Sequence, residues 1–388
     1  MIKGANFIVF SDDWGRHPFS CMHIMKKFLP QNRILWVNTI GMRRPRFTLY
    51  DFWRSVEKIG SWFGRSTSKE NLKANLMVIS PVMIPYSNIP SVRTFNRISV
   101  IHAVKKEMKR LRFDRPILLT TLPNAVDYLG SFGEFIDIYY CVDEFSKWPG
   151  VMKGLVEETE KRLIQKAHLI VATSEELQKS KNKPNIPTYL LTHGVDIGHF
   201  KSCQSLEPIS SIQKLYRPVI GYFGLFDERP DADLIEYLAV SKPEWSFVFI
   251  GPVKVDLETL KKNSNLHFFP PVPYNELPKY LAGIDVYIIP YKVNELSRYI
   301  NPLKLKECLA TGKPVVSTPL PEVLKLREAV RIGWTKEEFL EEISEALSKP
   351  IDRITVEKIL KGEDWSFKAE QMSQYIEEAI NRKSSSTC

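Results

Sequence analysis

The strongest constraint on the fold of this chain is a rhythm of short apolar runs separated by longer stretches of helical character. NFIVFS, RILWVN, LMVIS, PILLTT, DIYYCVD, LIVATS and TYLLTHG mark it in the first half. Runs that are apolar without polar alternation belong to strands buried on both faces, as in a parallel sheet covered by helices. The polar, weakly patterned segment SCQSLEPISSIQKLYRP (202–218) interrupts the rhythm and is expected to be a linker. It restarts with VIGYFG, SFVFIG, LHFFP, VYIIPY and PVVST. At 388 residues the chain exceeds one ordinary core and suits two. The expected fold class is therefore α/β, with two tandem Rossmann-like, doubly wound domains at 1–201 and 202–363. Each would bind ligands at the carboxyl ends of its strands. In EDWSFKAEQMSQYIEEAINR (363–382), Trp365, Phe367, Met372, Tyr375, Ile376 and Ile380 recur at helical spacing. The resulting helix, within 364–388, either packs back on the first domain or simply ends the second.

Composition removes several function classes. The longest apolar runs, such as VYIIPY and FVFIG, are far shorter than the roughly 18–20 residues of a membrane-spanning helix. MIKGANFIVFSDDWG reads as a first strand, without the cleavage site of a secretory leader, so a cytoplasmic chain is expected. Cys21, Cys141, Cys203, Cys308 and Cys388 are odd in number and scattered, which suits reduced thiols. A formal charge of +9 is compatible with nucleic acid, an anionic membrane surface or phosphate-bearing substrates. Zinc-finger spacing, an RNP-like aromatic strand and a bZIP-type basic helix are all missing, so a nucleic-acid partner is not expected.

The most informative stretch is YINPLKLKECLATGKPVVST (299–318). Asn301 suits a helix N-cap and Pro302 the first helical position, where its missing N–H costs nothing. LKLKECLAT is then a helix ended by Gly312, and PVVST the next buried strand. The helix start would offer backbone N–H groups at Leu303 and Lys304 to an anion such as a diphosphate, with the Lys304 side chain adding charge. One turn deeper, Glu307 could accept hydrogen bonds from ribose hydroxyls. Taken alone, the same residues also fit an exposed helix glutamate and a simple cap.

This arrangement resembles the nucleotide-sugar binding segment of GT-B glycosyltransferases of the group 1 (GT4-like) superfamily. KAHLIVATSEELQKS with TYLLTHGVDIGHF, PVIGYFGLFDERPDADLIEYLA and NLHFFPPVPYNELPKYLAGIDVYIIPY resemble further passages of that family, in the same order. YYCVDEFSKWPG, GYFGLFDER and the NExxR…NPLK pattern are similar to bacterial enzymes of teichuronic-acid, capsule and exopolysaccharide assembly. The resemblance implies two domains facing across a cleft and a nucleoside-diphosphate-sugar donor, UDP- or GDP-linked. It also implies a glycan or lipid-linked acceptor, a retaining course, and stabilisation of the leaving diphosphate by a helix end and an arginine in place of a metal. On the donor side it points to Gly224, Pro273, Arg229, Arg298, Asn301, Leu303, Lys304 and Glu307. Two departures stand out. The family's paired glutamates lie eight residues apart, and Tyr299 stands where the first would fall. Leu225 occupies the position of the family's diphosphate arginine, which leaves Arg229 to take that catalytic role, with Arg298 as a second charge.

On the acceptor side, the loop Ser11-Asp12-Asp13-Trp14-Gly15-Arg16 follows the first strand; Gly15 would let backbone approach a ligand and Arg16 could meet its phosphates. Asp143, in YYCVDEF, resembles an acceptor-contacting or base-like position and would orient or deprotonate the acceptor hydroxyl. His193 before Gly194 is expected to be structural. Asp231-Ala232-Asp233 imitates a metal-binding triplet but follows Arg229-Pro230 at the start of ADLIEYLA, where acidic residues complement the helix dipole. In segment 41–66, Arg43, Arg44, Arg46, Arg54 and Arg65 interleave with Phe47, Trp53 and Trp62, which suits either anionic-membrane contact or a partly buried insert. Three other functions compete: a degenerate GT-B assembly subunit, a GT-B sugar-nucleotide epimerase, and a Rossmann oxidoreductase. The last is disfavoured because neither first strand is followed by G-x-G-x-x-G.

Overall fold

A computed structural model describes residues 1–15, 18–39, 75–349 and 352–387. Arg16 and segment 41–66 lie outside the described residues. The chain divides into one unit of residues 1–192 and 366–388 and another of 193–365.

The first unit is built on a parallel sheet of β1 (Asn6–Ser11), β2 (Arg33–Asn38), β3 (Leu76–Ile79), β4 (Ile117–Thr120), β5 (Ile136–Cys141), β6 (Leu169–Ala172) and β7 (Thr188–Leu190). Their order across the sheet is β3-β2-β1-β4-β5-β6-β7. Phe7 through Phe10 of β1 and every residue of β4, β5 and β6 are buried, as expected of strands covered on both faces. Strand order reverses between β1 and β4, where the Ser11 and Thr121 hydroxyls hydrogen-bond at 2.8 Å.

The helix Trp365–Thr387 supplies this unit with Ala369, Met372, Ser373, Ile376 and Ala379, all buried. Tyr375 stacks on Tyr189 at 4.3 Å, and the Lys383 amine donates to the Phe135 carbonyl at 2.6 Å. Phe367, expected on the packed face, is 46% exposed; the inward face follows Trp365, Lys368, Ala369 and Met372 instead.

The second unit repeats the topology with β8 (Val219–Phe223), β9 (Ser246–Ile250), β10 (Leu266–Phe269), β11 (Val286–Ile289), β12 (Val315–Ser317) and β13 (Arg331–Ile332). The order β10-β9-β8-β11-β12-β13 is parallel throughout and reverses between β8 and β11. The short β13 was not visible in the sequence: its two residues are only half-buried and it exists by pairing with β12.

The domain boundary needs correcting. It falls between Thr192 and His193, not between 201 and 202, and the expected linker 202–218 lies inside the second unit. Cys203 and Ile212 are buried in that unit's core beside Val195 and Phe200. Ile209 and Leu215 pack against the same core, so scattered apolar anchors in a largely polar stretch fold it in, and a composition average hides them.

Candidate functional site

The glycine-marked ends of β8 and β9 set the geometry of the second unit's switch point. Gly224 follows β8 with φ +107 and Gly251 follows β9 with φ +141, backbone that L residues rarely adopt. The Gly224 N–H donates to the Ile250 carbonyl at 2.7 Å, and a Cβ on Gly251 would sit 2.2 Å from the Gly224 oxygen. Beyond β11 the chain passes through Pro290 to Tyr291, which forms an antiparallel bridge with Pro230. The Lys292 N–H bonds the Arg229 carbonyl at 2.8 Å, so the Arg229 loop is fastened to the end of β11.

The helix Leu303–Ala310 then returns beside these strand ends. Its N-cap is Pro302, with ψ 107, and not Asn301. The preceding residue of a proline is driven from the helical region, and Pro302 itself stays extended, so the first helical turn begins one residue later. The N–H groups of Leu303 and Lys304 therefore have no acceptor within the helix. Gly312, at φ +74, ends it.

Lys304 is the centre of the site. Its amine donates to the Tyr291 phenol oxygen at 2.9 Å and lies 5.0 Å from the Tyr222 ring and 5.6 Å from the Tyr291 ring. Arg229 also stands over Tyr291, 5.7 Å from the ring, with its Nε on Asp227 at 2.8 Å. Asp227 is almost wholly buried. Burial raises the Tyr291 phenol, but Lys304 and Arg229 outweigh it and hold the group below the ordinary tyrosine range. Tyr222, pushed well up by burial, donates to the Leu225 carbonyl at 2.8 Å. Two cations and a helix start thus converge where strand order reverses, the place at which open α/β sheets bind ligands.

Glu307 lies one turn beyond Lys304, half-buried, and burial pushes its carboxyl up to about 8 against the pull of Lys304. It faces Tyr274, whose phenol is raised first by burial and then by the Glu307 charge. Tyr274 stacks on His199 at 4.1 Å and 12°. Pro273 precedes the short turn Tyr274–Glu276 and is exposed. Burial lowers the His199 imidazole, with Asp196 opposing.

Gly224, Arg229, Leu303, Lys304 and Glu307 are therefore brought together, with Pro273 next to Tyr274 on the Glu307 side. Arg298 is exposed in the turn Ser297–Tyr299, where Tyr299 is half-buried, and Asn301 is half-buried ahead of Pro302. Asp231 caps the helix Ala232–Ser241, its carboxylate accepting from the Asp233 and Leu234 N–H groups. The His193 carbonyl accepts from the Lys306 amine at 2.6 Å, and Lys306 also pairs with Glu363. Sequence reasoning missed Tyr222, Tyr291, Tyr274, His199 and Gly251. Aromatic residues at strand ends look like core until a lysine is found between them.

In the first unit, Gly15 has φ +80 and is exposed. Its neighbour Trp14 packs edge-on against Trp36 at 4.8 Å, and the Trp14 N–H donates to Asn38 Oδ1 at 3.0 Å. Asp143 is half-buried just past β5, its Oδ1 accepting from the Glu144 N–H at 2.8 Å. Glu144 is buried and shares the Lys181 amine with Glu160, at 2.5 and 2.8 Å.

Residues 217–353 match the model of the family Glycosyl transferases group 1. The second unit carries a group 1 glycosyltransferase domain. The chain is also 28% identical over 238 residues to TuaH of Bacillus subtilis (strain 168), named for a glycosyltransferase role in teichuronic acid biosynthesis. That match takes in 58% of this chain and 60% of the relative's length. Among solved structures, Anabaena HepE in complex with UDP superposes with a TM-score of 0.69 at 12% identity, over 97% of this chain and 100% of that one. Sucrose-phosphate synthase from Thermosynechococcus elongatus gives 0.67 at 13%, with the same coverage. An Escherichia coli trehalose-6-phosphate structure bound with UDP-2-fluoro glucose gives 0.64 at 11%, over 97% and 99%. The fold is GT-B: two parallel-sheet α/β domains, of which the group 1 domain holds the Lys304 cluster.

Proposed function

We propose that the chain is a glycosyltransferase that moves a sugar from a nucleoside-diphosphate donor to a glycan or lipid-linked acceptor in bacterial cell-surface polysaccharide synthesis. One observation carries the reading: Lys304, hydrogen-bonded to Tyr291, and Arg229, over the same ring, converge with a helix start at the switch point of the group 1 domain. When the bond from the anomeric carbon to the diphosphate breaks, negative charge grows on the leaving oxygens. Lys304, Arg229 and the Leu303 and Lys304 N–H groups stabilise it without a metal. Glu307 receives the ribose hydroxyls. UDP is the favoured nucleotide because HepE binds it on the same fold, with GDP second. The name of TuaH supports a cell-surface glycan as acceptor.

The acceptor hydroxyl attacks the anomeric carbon, and its proton passes to the departing phosphate or to Asp143, which otherwise orients it. Retention of configuration rests on the resemblance to the group 1 superfamily. A cytoplasmic site of action suits such a donor, and no described helix is long and apolar enough to cross a membrane. The specific observation favouring a second reading, a binding subunit without turnover, is Tyr299 in place of the family's first glutamate.

Calorimetric titration with UDP, GDP and ADP in the presence of a chelator, beside Lys304→Ala, tests the donor site. Saturable binding of one diphosphate, lost in the variant, is expected. Binding to none of them would overturn the donor reading. Release of UDP from UDP-sugars then separates a transferase from a binding subunit.

A further inference from the structure

Among its described residues, the first unit exposes its large apolar side chains unevenly. Val82, Ile84, Tyr86, Ile89, Phe95 and Ile98, between 38% and 63% exposed, fall within one short stretch. Hydrogen bonds join them into one surface. The Asn96 side chain clamps the Ile84 backbone, accepting from its N–H and donating to its carbonyl at 2.8 Å each, and the Ser99 hydroxyl donates to the Val82 carbonyl at 2.7 Å. Segment 82–86 therefore lies along the start of the helix Pro90–Leu111.

That helix is buried through Asn96, Val100 and Val104. Its outward face follows Ser91, Phe95, Ile98, His102, Lys105 and Lys109, all exposed and spaced by three and four residues. The face is apolar at its start and basic toward its end. Residues 90–112 contain seven Lys and Arg against the single acid Glu107, which pairs with Arg110 at 2.7 Å. Arg93 is committed elsewhere, to both oxygens of Asp127.

We propose that this face, Val82 to Ile98 with Lys105 and Lys109, docks on an anionic phospholipid surface. Aliphatic and aromatic side chains would enter the headgroup boundary while the lysines meet lipid phosphates. A bilayer fits this face because exposed apolar side chains adjoin lysines on a helix whose one acid is Glu107, a pattern that an anionic headgroup boundary complements. The surface lies in the first unit, apart from the Lys304 cluster in the second, so the inference does not rest on the donor reading.

Sedimentation of the full-length protein with vesicles of phosphatidylcholine alone, or mixed with phosphatidylglycerol, is the test. Recovery with anionic vesicles only, falling as salt rises, is expected. Phe95→Asp with Ile98→Asp should abolish it. Lys105→Glu with Lys109→Glu should weaken it by about tenfold or more, at roughly 1 kcal/mol per lysine. UDP titration of each variant shows that it is folded; should the wild type bind no UDP, circular dichroism serves instead. Equal recovery with neutral and anionic vesicles would overturn the proposal, as would unchanged binding by the aspartate variant. So would light scattering that shows a dimer which the aspartate variant dissolves, since a second copy would then cover the face.

Discussion

The Lys304 side chain lies against the α-carbon of Gly224, so that a Cβ at position 224 would stand 2.2 Å from Lys304 Cε and 2.8 Å from Nζ. Gly224 is thus required twice, for its φ of +107 and for the space the lysine occupies. Gly224→Ala should cost about 1–3 kcal/mol of stability from backbone strain alone. Displacing the amine should also weaken UDP binding by about tenfold or more, as expected for losing a hydrogen bond to a charged group. Denaturant unfolding and calorimetry on the same preparation separate the two effects.

Tyr291 anchors Lys304 through its phenol oxygen. Tyr291→Phe keeps the ring beneath Arg229 and removes the acceptor. UDP affinity should fall by about threefold to tenfold. A fall as large as that of Lys304→Ala would show that Tyr291 does more than hold the lysine.

Glu307 should make donor binding depend on pH. Burial raises its carboxyl to about 8, above the ordinary 4.5, so at neutral pH the ligand-free protein holds it mostly protonated. The carboxylate is the better acceptor for two ribose hydroxyls. UDP affinity should therefore rise between pH 6 and about 8 and then level off. Because the folded state binds this proton more tightly than the unfolded state, Glu307 draws stability down as pH rises from 4.5 to about 8. Glu307→Gln should flatten both profiles, measured by calorimetry and thermal unfolding; an unchanged affinity profile would count against ribose contact.

Lys181 is buried between Glu144 and Glu160, with the Tyr139 hydroxyl donating to Glu160 at 2.6 Å. Burial raises the Glu160 carboxyl while Lys181 pulls it back. Lys181→Met leaves two buried carboxylates without their cation and should destabilise the first unit by about 3–5 kcal/mol at neutral pH. Without Lys181 to pull it back, the buried Glu160 carboxyl takes up a proton more readily when folded than when unfolded, so the loss should shrink as pH falls toward 5. Urea unfolding at pH 5 and pH 8 checks the slope.

Periodicity alone determined much of this protein. Unbroken apolar runs on a βαβ rhythm favour strands of a covered parallel sheet, and each run named in the sequence became a strand of one of the two sheets, half-buried at the edges β3, β7 and β10 and buried within. The helix that carries Lys304 and Glu307 one turn apart was legible because helix starts and one-turn spacing are local physics. What lay beyond the sequence depended on distance along the chain. Asn301 lost the cap to Pro302 because of backbone preference over two residues, and the 202–218 stretch folded in through Cys203 and Ile212. Tyr222, Tyr291 and Arg229 meet Lys304 only because β8 and β11, far apart in sequence, are neighbours in the sheet. A sequence records which residues can carry charge; only strand order decides which charges share one tyrosine.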